Sequence, residues 1–144
     1  MLRTIIITVS LVAATALWAH SGVKDPQVKA RMDGMDVLAE QTKILGQMAK
    51  GATEFDAAKV QSALAVMADE ADQVQALFEP KADDPKSEAL PTIWTEWDKF
   101  AMHADDLVAA IAVADGSSAA ALGQTLRGIG GACGACHKDY RQKN

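Results

Sequence analysis

GACGACHKDYR, residues 131–141, holds both cysteines of the chain and one of its three histidines. Leading into it, Leu122, Leu126, Ile129 and Cys133 recur at three- and four-residue spacing, the period of one apolar helix face. On such a helix Cys133, Cys136 and His137 stand at i, i+3 and i+4, so two sulfurs and an imidazole share a face. Cys-x-x-Cys-His is the pattern of covalent c-type haem attachment, in which the thiols add to two vinyl groups and the adjacent imidazole reaches the iron. Gly128, Gly130, Gly131 and Gly134 each cost about 0.5–1 kcal/mol in a helix interior. Gly130, Gly131 and Gly134 are expected to leave room for the macrocycle against the helix.

Three other readings of the cysteine pair are weaker. Helical i, i+3 spacing is a poor frame for a disulfide and closes almost no loop. A zinc site needs four ligands, and the remaining histidines are His20 and His103, with no second cysteine pair. A thioredoxin-like pair opens a helix after a strand, whereas this one closes a helix.

Upstream, three more segments carry helical periodicity between breakers. The first runs from about Pro26 to Lys50, with Asp25 as N-cap and Gly51 as stop. Val28, Met32 or Met35, Leu38, Thr42, Leu45 and Ala49 make its inner stripe. The second runs from about Asp56 to Phe78 and turns Asp69, Glu70 and Asp72 outward. The third begins at Pro91 or Thr92 and continues to Asp115-Gly116, and the fourth opens at Ser117 or Ser118 and ends at Tyr140. Four helices of about 20 residues predict an all-α, up-down-up-down four-helix bundle with the haem near its C-terminus. The link EPKADDPKSEAL, residues 79–90, reads as a surface crossover. Trp94, Trp97 and Phe100 read as bundle core, and His103 as a surface residue.

Composition agrees with this architecture. Of 144 residues, 49% are apolar but only 5% aromatic, which suits close-packed helices, and 19 acidic against 14 basic side chains give a net charge of −5. That balance excludes a phosphate-backbone partner. Residues 1–19, MLRTIIITVSLVAATALWA, place Arg3 before an apolar run ending in small residues, as a signal peptide does. Cleavage is expected after Ala19 or Ser21. The run is shorter than the ~20 residues of a membrane-spanning helix. Residues 20–144 are thus expected to form one exported bundle domain, delivered unfolded to the periplasm without a membrane anchor, with 13 basic and 19 acidic side chains. No acid/base pair, nucleophile or phosphate loop points to an enzyme.

A leader, four helices, one C-terminal Cys-x-x-Cys-His and a Met-bearing first helix make the chain resemble the class II cytochromes c, the group of cytochrome c prime and cytochrome c-556. The resemblance spans about residues 24–143 and rests on KARMDGM (29–35), LGQMAKG (45–51), PTIW (91–94) and GACGACHKDYR. Ordinary small cytochromes c carry the motif near their N-terminus instead. The resemblance implies one covalent haem c on Cys133 and Cys136, with His137 as proximal iron ligand. It implies a distal residue on helix one, four positions after a basic one: here Met35 after Arg31, with Met32 as the other register. Arg31 is implied beside a haem propionate, Arg141 beside the proximal imidazole, Tyr140 at the haem edge, and helices one and two in a possible homodimer. If the Met sulfur binds, the iron is low-spin and the protein is an electron carrier, its acidic surface steered toward basic patches on redox partners. If it only packs, the iron is five-coordinate and binds nitric oxide or carbon monoxide. Residues 46–78 resemble the c-556 branch more closely.

Overall fold

The computed structural model describes residues 22–143. The expected signal peptide, its cleavage site and His20 lie outside the described residues. Asp25 starts α1 (Pro26–Ala49) by accepting hydrogen bonds from the Gln27 and Val28 N–H groups at 2.8 and 2.9 Å, while Pro26 has no N–H to satisfy. Gly51, at φ +70°, turns the chain away after Lys50. Asp56 repeats the N-cap for α2 (Ala57–Phe78), accepting from Ala58 and Lys59 at 3.0 and 3.1 Å.

The third segment is not the single helix that its periodicity predicts. It consists of α3 (Thr92–Thr95) and α4 (Trp97–Ala112), broken at Glu96, whose φ of −120° and ψ of 38° are not helical. Around the break Ile93 is buried, the Trp94 indole donates to the Phe78 carbonyl at 2.8 Å, and the Tyr140 hydroxyl donates to Glu96 at 3.1 Å. The segment also stops at Ala112, before Asp115, because Asp115 builds the next turn. Its carboxylate accepts from the Ser117 N–H at 2.9 Å and its own N–H donates to Thr125 Oγ1 at 2.8 Å. Ser118 then caps α5 (Ala119–Tyr140), accepting from the Ala121 N–H at 3.2 Å.

α1 packs on α2 and α5, and α4 packs on the same two helices, closing the ring of an up-down-up-down four-helix bundle in which α3 and α4 make the third arm. The core has two parts. Leu45, Val60, Met67, Leu122 and Ile129 centre one; Val74, Phe78, Ile93, Phe100 and Tyr140 centre the other, with Trp94 and Trp97 packed against it. Met35 packs against both parts, Cys133 against the first and Cys136 against the second. Among the described residues no helix is long and apolar enough to cross a membrane.

Between α4 and α5, Gly116 sits where a Cβ would collide with Val60 Cγ1, on a β-branched side chain with little rotamer freedom. Gly116→Ala is expected to cost about 1–3 kcal/mol by overpacking, seen as a lower urea midpoint at unchanged slope. An unchanged midpoint would contradict this packing.

Candidate functional site

An open cleft is bounded by α1, the end of α2, the Ile93 turn and the end of α5. Its lining is mostly apolar, with Val28, Met35, Val74, Phe78, Ile93 and Phe100 among the walls. Seven residues that the sequence places around the haem meet there: Arg31, Met32, Met35, Cys136, His137, Tyr140 and Arg141. Cys133 stands one helical turn earlier, half-buried against the first part of the core and outside the cleft lining.

Partial burial governs the protonation of these groups, the two cysteines being half-buried and His137 more exposed. Burial pushes the Cys136 thiol up to about 11, helped by the nearby Cys133 and Asp139, and raises Cys133 as well. Both stay thiols at neutral pH. The His137 imidazole moves below its ordinary value, first through burial and then through the charge of Arg141, against an opposing pull from Glu88. A neutral imidazole keeps the lone pair that metal ligation needs.

Arg141 is fixed by Glu88, which accepts from Nε at 2.7 Å and lies 2.6 Å from Nη2. The backbones join there too: Leu90 N–H donates to the Tyr140 carbonyl at 2.9 Å and Gln142 N–H to the Glu88 carbonyl at 2.7 Å. Residues 79–90 are therefore more than a surface crossover. Ser87, Glu88 and Ala89 line the cleft, a role that sequence reading missed because these residues carry no periodic signal.

The same segment is anchored at Asp84, which is only 5% exposed. Its carboxylate accepts from the N–H groups of Lys86, Lys24 and Asp25 at 2.9, 2.8 and 3.1 Å, and these bonds hold its pKa below the ordinary 3.8. The resulting stabilisation is present above the unfolded value and is lost as pH falls through the lower folded one. Asp84→Asn is expected to lower stability at pH 7 and to flatten its fall below about pH 4. Superimposable acid-unfolding curves for the two proteins would contradict that anchoring role.

Arg31 is 3% exposed, with its guanidinium over the Phe78 and Trp94 rings at 4.9 and 5.1 Å. Nε donates to the Leu77 carbonyl at 2.9 Å, Nη1 to Ala82 at 3.2 Å and Nη2 to Pro80. It thus ties the end of α2 to the crossover while lining the cleft. Burial lowers its pKa, and Asp25 opposes that shift.

Two expectations need correction. None of Gly128, Gly130, Gly131 and Gly134 lines the cleft, and all four are exposed, with nothing beyond the adjoining stretch of their own helix within 4 Å of where a Cβ would stand. His103 is not a surface residue either. It is half-buried on the Tyr140 ring edge at 5.9 Å, with Nε2 3.9 Å from Asp139 and both ring nitrogens buried without a hydrogen-bond partner among the described residues. Lys99, four residues earlier on the same helix face, binds Asp139 at 2.8 Å.

An apolar cleft edged by Arg31, with Cys136 and a neutral imidazole on one helix, Cys133 one turn before them and a thioether on another helix, fits a haem: apolar walls for the macrocycle and a cation for a carboxylate. A sequence profile of the cytochrome c' family matches residues 26–141. The chain is 33% identical over 145 residues to cytochrome c-554 of Cereibacter sphaeroides, covering 96% of this chain and 95% of that protein. Its structure is similar to cytochrome c' of Rhodopseudomonas palustris, with a TM-score of 0.76, 34% identity and coverage of 84% of this chain and 99% of that one. It is similar to oxidised R. palustris cytochrome c556 at a TM-score of 0.74 and 30% identity, with coverage of 84% and 99%.

Proposed function

The chain belongs to the cytochrome c' family and carries one covalently bound haem c, and from that premise we propose that it is a periplasmic one-electron carrier whose iron is ligated by His137 and Met35. In this reading residues 20–144 are the exported domain, and Cys133 and Cys136 hold the haem through thioethers. Haem bound there supplies an iron(III)/iron(II) couple tuned by its axial ligands.

Met35 carries the reading. It lines the cleft and packs against both parts of the core, whereas Met32 lines the cleft without belonging to either cluster. A side chain gripped from two sides offers its sulfur in a preorganised position. His137 offers a neutral imidazole, kept so partly by Arg141. Arg31 uses three of its five N–H donors on carbonyls, which leaves two for a propionate. A second reading, high-spin iron that takes nitric oxide or carbon monoxide, is supported by the likeness to a mutant cytochrome c prime from Alcaligenes xylosoxidans solved as its nitric oxide complex, at a TM-score of 0.72 and 26% identity. The oxidised protein's spectrum separates the two. The carrier is expected to show low-spin iron and the weak far-red charge-transfer band of thioether-to-iron(III) ligation. A high-spin spectrum without that band would contradict Met35 ligation.

A further inference from the structure

α5 and the residues that follow it are the basic end of an acidic protein. Residues 119–144 carry Arg127, Lys138, Arg141 and Lys143 against Asp139 alone, while residues 20–118 hold 9 basic and 18 acidic side chains. Asp139 is paired with Lys99 of α4 at 2.8 Å. The outward face of α5 reads Gln124, Arg127, Gly131, Gly134 and Lys138 at three- and four-residue spacing, all exposed and without an acid. Beside it, a groove between α1 and α5 is lined by Lys43, Lys50 and Leu126, again without an acid. Among the described residues none of Lys43, Lys50, Arg127 and Lys138 forms an ion pair, so their charge faces outward.

Gly131 and Gly134 leave this face bare of side chains, and packing within the chain does not require it. Each costs about 0.5–1 kcal/mol relative to alanine. Gly134 lies between the two cysteines in the sequence, so the bare stretch is the backbone of the haem-bearing segment itself.

We propose that the face from Arg127 to Lys138, with Lys43 and Lys50 beside it, is the docking surface for a redox protein that presents an acidic patch. The inference rests on the electron-carrier reading and adds the sign of the partner. The net charge of the whole chain points to basic partners, but once surfaces are within a Debye length, ~8–10 Å, the local cations dominate. With haem bound, the exchange would be of one electron, given up by the partner's reduced centre and taken up by the iron(III)/iron(II) couple. An anionic membrane fits less well, because the face has no exposed aromatic or long apolar side chain to insert.

The test uses the haem-loaded, ¹⁵N-labelled protein in its reduced state at low ionic strength, titrated with poly-L-glutamate. Amide shifts are expected to cluster between Arg127 and Lys138 and at Lys43 and Lys50, and to vanish at high salt. Arg127→Glu/Lys138→Glu should weaken binding by roughly tenfold or more, because two charges change sign and the contact shifts by four charge units. Its visible spectrum should stay that of the wild type. Lys43→Glu/Lys50→Glu, which leaves α5 untouched, should weaken binding in the same direction. Absent shifts, shifts elsewhere, or variants that bind as the wild type does would overturn the proposal. So would binding to phosphatidylglycerol vesicles without binding to polyglutamate, which assigns the face to a membrane. The carrier reading fails by a separate observation, carbon monoxide binding to the wild-type iron, which does not depend on polyglutamate.

Discussion

A Cys133→Ser/Cys136→Ser protein is expected to release all of its haem into acidified acetone, whereas the wild type keeps it. The two thiols stand three residues apart on α5, one against each part of the core, and thioethers from both would hold the haem there. Without that attachment the cleft loses its permanent filling. The loss should cost about 3–5 kcal/mol, the scale of emptying a large core site. Single Cys→Ser variants should retain haem through one thioether with a shifted spectrum. Haem that stays bound to the double variant after extraction would refute the assignment of both cysteines.

Met35→Leu is expected to abolish the far-red band of the oxidised protein, convert the iron from low to high spin and open the distal side to carbon monoxide. The reduction potential should fall, because the thioether that favours iron(II) has gone. The fold should survive, since Leu nearly conserves the volume of Met in contact with both parts of the core. Potentiometry and a carbon monoxide titration read both effects on one sample. If Met32→Leu produces these changes and Met35→Leu does not, the ligand is one turn earlier and the packing argument for Met35 fails.

What the sequence made legible follows from how each feature is encoded. Asp25, Asp56 and Ser118 announce their helices because a carboxylate or hydroxyl one residue before the first turn is what orphaned N–H groups need. The haem motif is equally plain, because attachment chemistry fixes its spacing. The break at Glu96 was hidden: TIWTEWD carries an unbroken apolar period with neither glycine nor proline, and the cause is tertiary, through Trp94 on the Phe78 carbonyl and Tyr140 on Glu96. The site wall at Ser87, Glu88 and Ala89 was hidden for a similar reason. It depends on pairing with the C-terminal backbone more than fifty residues away, which no local pattern encodes. His103 was misjudged from its charged sequence neighbours. Asp105, two residues on, points to another side of the helix, while Lys99 shares the His103 face and leads to Asp139. The glycines of α5 were visible, but their direction was not: only the packing of α5 shows which side of that helix faces the cleft.

The reduced wild-type protein, its visible spectrum recorded before and after saturation with carbon monoxide, tests the central claim most directly. Ligation of the iron by His137 and Met35 predicts a sharp low-spin spectrum that carbon monoxide leaves unchanged. A broad high-spin spectrum that carbon monoxide converts at once to that of a carbonyl adduct would contradict it.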